Sequence, residues 1–158
     1  LFTPSWRLWK NFPPALLAGI ETALRASETR HDGEIRFAVE TALPLPALWR
    51  GVSARQAAVA AFGSLRVWDT ENNSGVLIYL LLAERNLEIV ADRGIAARVN
   101  QAEWDSIAGL MERHYRAGDF RTGTFEGIRR VTELLARHCP PRPENPDELP
   151  NKPVLLGR

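Results

Sequence analysis

The stretch that decides the fold reads "NNSGVLIYLLLAERNLEIVAD", Asn72 to Asp92. From Gly75 to Ala83 it is apolar on both faces, as a strand in the centre of a covered sheet must be. Glu84-Arg85-Asn86 is a short polar turn, after which "LEIVAD" alternates apolar and polar residues. Two such runs around a short turn predict an antiparallel hairpin.

Working outward, "EIRFAVE" (Glu34 to Glu40) alternates strictly, with Ile35, Phe37 and Val39 on one face and Glu34, Arg36 and Glu40 on the other. That is the pattern of a half-covered strand. Between it and the hairpin, Ser53-Ala-Arg-Gln56 forms a capping box that opens a helix running to about Leu65. A strand, a crossover helix and a second strand predict a parallel pair with a right-handed connection. Upstream, Pro13 and Pro14 open a helix with Leu16, Leu17, Ile20 and Leu24 on one stripe, and His31-Asp-Gly33 stops it. Downstream, Asn100 and Glu103 have capping-box spacing ahead of a stripe of Trp104, Ile107 and Met111, which Gly118 terminates. A last helix from about Thr124 to His138 buries Phe125, Ile128, Val131 and Leu135. The order α-β-α-β-β-α-α predicts an α/β fold: a three-layer αβα sandwich, its small mixed β-sheet flanked by helices on both faces.

The ends differ from the middle. Residues 1–13 form an aromatic N-terminal strap, residues 14–139 the domain, and residues 140–158 a proline-rich extended tail, since six prolines between Cys139 and Pro153 admit neither helix nor central strand. Trp6, Arg7, Leu8, Trp9, Lys10 and Phe12 either fold back over the core or dock on a partner. Trp49 is either an exposed anchor or a lid.

Composition narrows the function. Twenty basic and nineteen acidic residues give a net charge of +1 over 158 residues, which predicts no nucleic-acid partner. One cysteine, Cys139, rules out a disulfide framework and any CxxC site. The three histidines share no ligand spacing, and His114 and His138 suit helix C-termini. Phosphate-binding glycine motifs and a GxSxG elbow are absent. No apolar run is long enough to span a bilayer and no signal peptide is visible, so the expected location is the cytoplasm or the membrane periphery.

The topology gathers polar residues at one place. With the first two strands parallel and the third antiparallel, Glu34, the loop Asp69 to Asn73, and Asp92-Arg93-Gly94 all reach one rim. Carboxylates and amide oxygens with no histidine or thiol among them suit a hard cation. The candidate ligands are Glu34, Asp69, Glu71, Asn73 and Asp92, with calcium the expected ion and magnesium the alternative. The same residue types build turns, Asp92 before Arg93 fits a local salt bridge or cap, and the chain has no EF-hand spacing.

Asp32-Gly33-Glu34-Ile35-Arg36, then Trp68-Asp69-Thr70, then "NNSGVLIYLLLAERNLEIVADRGI", a tryptophan-containing helix, "GDF" and "GIRRVTELLARHCP" together resemble the TPM domain family over roughly Ile20 to Pro140. The "PDELP" of the tail resembles its short soluble bacterial members. The family includes plant thylakoid-lumen proteins and a nematode receptor modulator. The resemblance implies a mixed sheet between helices, calcium binding in some members and acid phosphatase activity in the plant member. It also implies frequent envelope association through a signal peptide and anchor, neither of which shows in this sequence. Asp69, Asn73, Asp92 and Gly94 fall on the family's recurrent positions. The expectation is a divalent-cation-binding, non-catalytic interaction module for a protein partner, membrane complexes included. The alternative is a metal-assisted acid phosphatase in which Asp69 and Asp92 hold the metal and Arg93 binds phosphate. Oligomeric state is not indicated.

Overall fold

The structure, a computed structural model, describes residues 5–144 and 147–157; the first four residues of the expected strap, and residues 145, 146 and 158 of the expected tail, lie outside them. Its elements are α1 (Ser5–Asn11), α2 (Pro14–Ser27), β1 (Glu34–Glu40), α3 (Leu45–Trp49), α4 (Ala54–Ser64), β2 (Gly75–Leu81), β3 (Asn86–Ala91), α5 (Arg93–Ala96), α6 (Gln101–Arg116), α7 (Phe120–His138) and β4 (Val154–Leu156). The sheet order is β3-β2-β1-β4. β1 and β2 are parallel, with Glu34 opposite Gly75, and β2 and β3 are antiparallel, with Val76 opposite Ala91. The mixed sheet and its covering helices match the expected α/β sandwich.

Alternation along the strands assigns the two cores. Ile35, Phe37 and Val39 of β1 and Val76, Ile78 and Leu80 of β2 pack against α2, α6 and α7. Leu77, Tyr79 and Leu81 face the other way onto Ala57, Ala58 and Ala61 of α4. At the base of β2 a Cβ on Gly75 would lie 2.0 Å from the Val67 carbonyl oxygen, so only glycine lets the incoming loop pass so close.

Helix starts show where local rules held. Ser53 and Gln56 make the full capping box, Gln56 N–H to Ser53 Oγ at 3.1 Å and Ser53 N–H to Gln56 Oε1 at 2.9 Å. Asn100 caps α6 by accepting from Ala102 N–H at 3.0 Å, but Glu103 turns its carboxylate to Arg137, 4.0 Å away, so the expected box is a simple cap. α7 begins four residues earlier than expected because Asp119 accepts from Thr122 N–H at 3.1 Å and starts the helix at Phe120. Within the strap, Leu8 and Phe12 are buried and Phe12 packs on Phe37 and Phe120, while Trp6, Trp9 and Trp49 are exposed.

Two expectations are corrected on β1 and the tail. The polar face of β1 is not open: Glu34 and Arg36 are 3% and 7% exposed. The tail is not free, because it crosses that face. Leu149 and Asn151 are buried, Arg36 Nη1 donates to the Pro150 carbonyl at 2.7 Å, and β4 pairs parallel with β1 from Ala38–Val154 to Glu40–Leu156. Alternation in the strand was correct; the cover came from a segment too rich in proline to signal a strand.

Candidate metal centre

The site is built on the turn between α2 and β1. Glu28 is the C-cap of α2, where the negative end of the helix disfavours a carboxylate. A buried hydrogen-bond chain fixes the turn that follows. Gly33 N–H donates to His31 Nδ1 at 3.1 Å, so Nε2 carries the proton and donates to Ser27 Oγ at 2.9 Å. The Ser27 hydroxyl then donates to Thr132 Oγ1 at 2.6 Å, and the Thr132 hydroxyl to the Ile128 carbonyl at 2.6 Å. Burial lowers His31 to about 4, so the ring is neutral at physiological pH. Serine and histidine are neighbours here, but both lie inside the protein and are committed to one another, which makes them a strut rather than a nucleophile and base.

The strut holds Glu28 against the first residue of β1. Ligand oxygens of Glu28, Glu34 and Asp147 all lie within 4.8 Å of one another. Glu34 Oε1 accepts the Glu148 N–H from the tail. Its Oε2 is buried with no donor, and the Glu28 carboxyl beside it could satisfy it only as the protonated acid. Asn151, with its NH2 turned to Glu28, donates to Oε1 and Oε2 at 2.8 and 2.9 Å. Turned over, its amide oxygen would join the carboxylate oxygens.

Electrostatics make the cluster incomplete as an assembly of anions. Burial first, then Glu34 and Asp147, push the Glu28 carboxyl far above the usual carboxylate range. Burial likewise raises Glu34, with Asp147 and Glu148 adding to it. Asp147 acts on both carboxyls and Glu148 on Glu34, while Arg36, two residues along β1, aims at tail carbonyls. Either protons or a cation must balance the group, and oxygen-only donors fit calcium or magnesium.

The remaining sequence candidates lie at the same rim but are engaged separately. Asp69 pairs with Arg66 at 2.9 Å. Glu71 lies 3.4 Å from Arg142 and its N–H donates to Glu148 Oε2 at 2.9 Å. Asn73 takes a left-handed conformation, φ 51°, and its carbonyl accepts from Gly94 N–H at 3.0 Å. Asp92 Oδ1 caps α5 through the Arg93 N–H at 2.8 Å, and its Oδ2 is buried without a partner. Asp32 bonds Arg142 at 2.7 Å, and the two line a cleft of about 370 Å³ with Asn72, Ile95, Arg98 and Cys139. Burial pushes the Cys139 thiol up, away from the thiolate form. Glu28 and Asp147 were absent from the sequence candidates. The legible signal was an acid at a helix C-terminus, which breaks a local electrostatic rule and so invites a reason.

Comparison with known proteins agrees with this architecture. No curated protein matches the chain. The solved structure of BA42 protein from the psychrophilic bacterium Bizionia argentinensis is similar over 89% of this chain and 92% of its own, with 27% identity and a TM-score of 0.78. The N-terminal domain of a protein from P. gingivalis shares the fold over 80% of this chain and 79% of its own, at 19% identity and a TM-score of 0.64. The model of the TPM domain matches residues 12–134, most of the length, and the chain belongs to the TPM domain family.

Proposed function

We propose that this domain binds a divalent cation through Glu28, Glu34 and Asp147, with calcium as the ion and magnesium as its competitor, and acts as a non-catalytic module that docks on a protein partner. The observation that carries the reading is the Glu34 carboxylate: 3% exposed, one oxygen without a donor, and two further carboxylates close by. A hard cation neutralises the three, and seven-fold calcium geometry tolerates the mixed carboxylate and amide donors better than the strict octahedron of magnesium. Of the five sequence candidates, Glu34 alone enters this set; Asp69, Glu71, Asn73 and Asp92 shape the loops around it. For the partner, the exposed Trp6, Trp9 and Trp49 supply large apolar contact area on the surface. Among the described residues no helix is long and apolar enough to cross a membrane.

The test is thermal unfolding of chelator-treated protein with and without millimolar calcium. At a hundredfold excess over Kd the expected gain is about 2.7 kcal/mol, a midpoint rise of roughly 5–10 °C for a chain of this size. Glu28→Gln and Asp147→Asn should abolish the rise, and Asp69→Asn should keep it. A wild-type midpoint indifferent to calcium, or a full rise in Glu28→Gln, would sink the assignment. Turnover of an aryl phosphate that depends on the same metal would replace the non-catalytic reading with the phosphatase.

A further inference from the structure

The sheet has two outer edges, and the chain treats them differently. Along β3, the Asp92 N–H bonds the Gly75 carbonyl of β2, so the main-chain groups of Leu87 and Ile89 point away from the sheet. Side chains meet them there. Glu112 of α6 accepts the Leu87 N–H at 2.9 Å, and Arg55 of α4 donates to the Ile89 carbonyl at 2.7 Å. Capping of this kind keeps another strand from adding to an edge.

On the opposite edge the Thr41 N–H bonds the Leu156 carbonyl, which sets the phase of the parallel ladder between β1 and β4. The main-chain groups of Val154 and Leu156 then face β1, and the N–H and carbonyl of Leu155 face outward. Among the described residues no side chain caps them. Both faces beside this edge are apolar. On the α2 side a groove of about 530 Å³ runs past Leu155 between Trp9, Leu17 and Pro153. On the α4 side one of about 770 Å³ runs past Leu156 between Leu43, Ala47 and Ala60. Trp9 is 41% exposed, and α3, which walls the second groove, carries Leu45 at 59% and Trp49 at 83%.

An extended strand laid beside β4 would bond the main chain of Leu155 and send alternate side chains over the two grooves. The strand that suits them is apolar on both faces, and Val154-Leu155-Leu156 is itself such a strand. Charge points the same way. The charged residues lining each groove are balanced, Glu21 with Lys152 on one face and Glu40 with Arg50 on the other, and the chain as a whole carries +1. Two copies therefore meet here without like-charge repulsion, whereas an anionic lipid surface or a nucleic acid would call for a basic edge.

We propose that the outer edge of β4 is the contact between two copies of this chain, joined antiparallel across a twofold axis at Leu155 into one continuous sheet. Leu155 stands opposite its own copy, the two exchanging N–H···O=C bonds, and Val154 stands opposite Leu156 of the second copy. The proposal rests on the docking half of the reading above, naming a second copy as the protein partner, and is independent of the ion.

Sedimentation velocity of the full chain, from micromolar to near-millimolar concentration, tests it. The expected result is a concentration-dependent shift from 17.7 kDa to twice that mass. Leu155→Pro should weaken association roughly tenfold or more, because it deletes the outward N–H and leaves the bonds of Val154 and Leu156 to β1 in place. Leu155→Asp and Leu155→Lys should each be monomeric, since like charges would meet on the axis, and an equimolar mixture of the two should dimerise. Unchanged far-ultraviolet circular dichroism shows that the variants fold. Wild type that stays monomeric overturns the proposal. So does a dimer that tolerates all three substitutions, which would join through another face, and so does a charged mixture that stays monomeric. Each of these outcomes leaves the cation site standing, because its readout is the calcium-dependent midpoint of the same samples.

Discussion

Protonation of His31 should loosen the foundation of the rim, and its size follows from the structure. The ring is fully buried, its Nδ1 accepts the Gly33 N–H, and its Nε2 proton is given to Ser27. A second proton would have to displace the Gly33 bond and carry a charge inside the core. The histidine falls from an ordinary 6.5 to about 4, with burial the first cause and Arg30 adding to it against a smaller opposing pull from Asp32. A depression of this kind contributes stability that is fully present above 6.5 and is lost as pH falls from there through 4. At 1.36 kcal/mol per unit, the difference is worth about 3 kcal/mol. With a urea m-value of roughly 1–3 kcal/mol/M, the unfolding midpoint should fall by about 1–3 M between pH 7 and pH 4 on this account alone.

Glu28 and Glu34 work in the opposite direction. Their carboxyls are raised in the folded state, so without metal they favour folding below the ordinary 4.5 and lose that contribution as pH rises. The clean assay is therefore a difference: urea midpoints against pH for wild type and His31→Asn, both in chelator. His31→Asn should be less stable at pH 7, and its loss on acidification should be smaller than that of wild type by about 3 kcal/mol. Nuclear magnetic resonance of the imidazole C–H should show no titration near 6.5. A ring that titrates at its ordinary value, or parallel pH profiles for the two proteins, would refute the account of the strut.

Gly94→Ala should cost about 1–3 kcal/mol or more by chemical denaturation, because the new Cβ would sit 2.2 Å from the Asn72 carbonyl oxygen, a backbone atom that cannot swing aside. The calcium-induced rise in midpoint should shrink steadily as pH falls below about 10, as protons occupy the raised carboxyls of Glu28 and Glu34 and displace the ion; a rise that is constant between about pH 9 and pH 5 would place calcium elsewhere.

The parts of the fold that were legible are those in which local pattern and burial agree. β2 reads as a central strand because it is one, and its partner β3 alternates because one of its faces is less covered. The crossover through α4 fixed the parallel pairing, which in turn brought Glu34, the loop from Asp69 and Asp92 to one rim. The short elements were not legible. α1, α3, α5 and β4 run to seven residues or fewer, too short for a periodicity to stand out. Tertiary contacts hold them instead: Leu8 and Phe12 enter the core, and the β1 edge supplies β4 with its partner.

The candidate site divides along the same line, and the division has a physical cause. Asp69 and Asn73 are conspicuous because they cluster in one loop, and Asp92 because it follows β3 at the same rim, yet such residues are what turns and caps themselves demand, and each now serves its own turn or cap. Glu28 and Asp147 are inconspicuous singly, one at a helix end and the other among prolines. What distinguishes them is an electrostatic cost: a carboxylate at the negative pole of α2, brought to a buried carboxylate on β1, under a tail that arrives with two more acids. Arg36, two residues along β1 from Glu34, spends its guanidinium on two carbonyl oxygens of the tail. Burial and neighbouring acids raise both Glu28 and Glu34, so the balancing charge falls to protons or to a cation from solution.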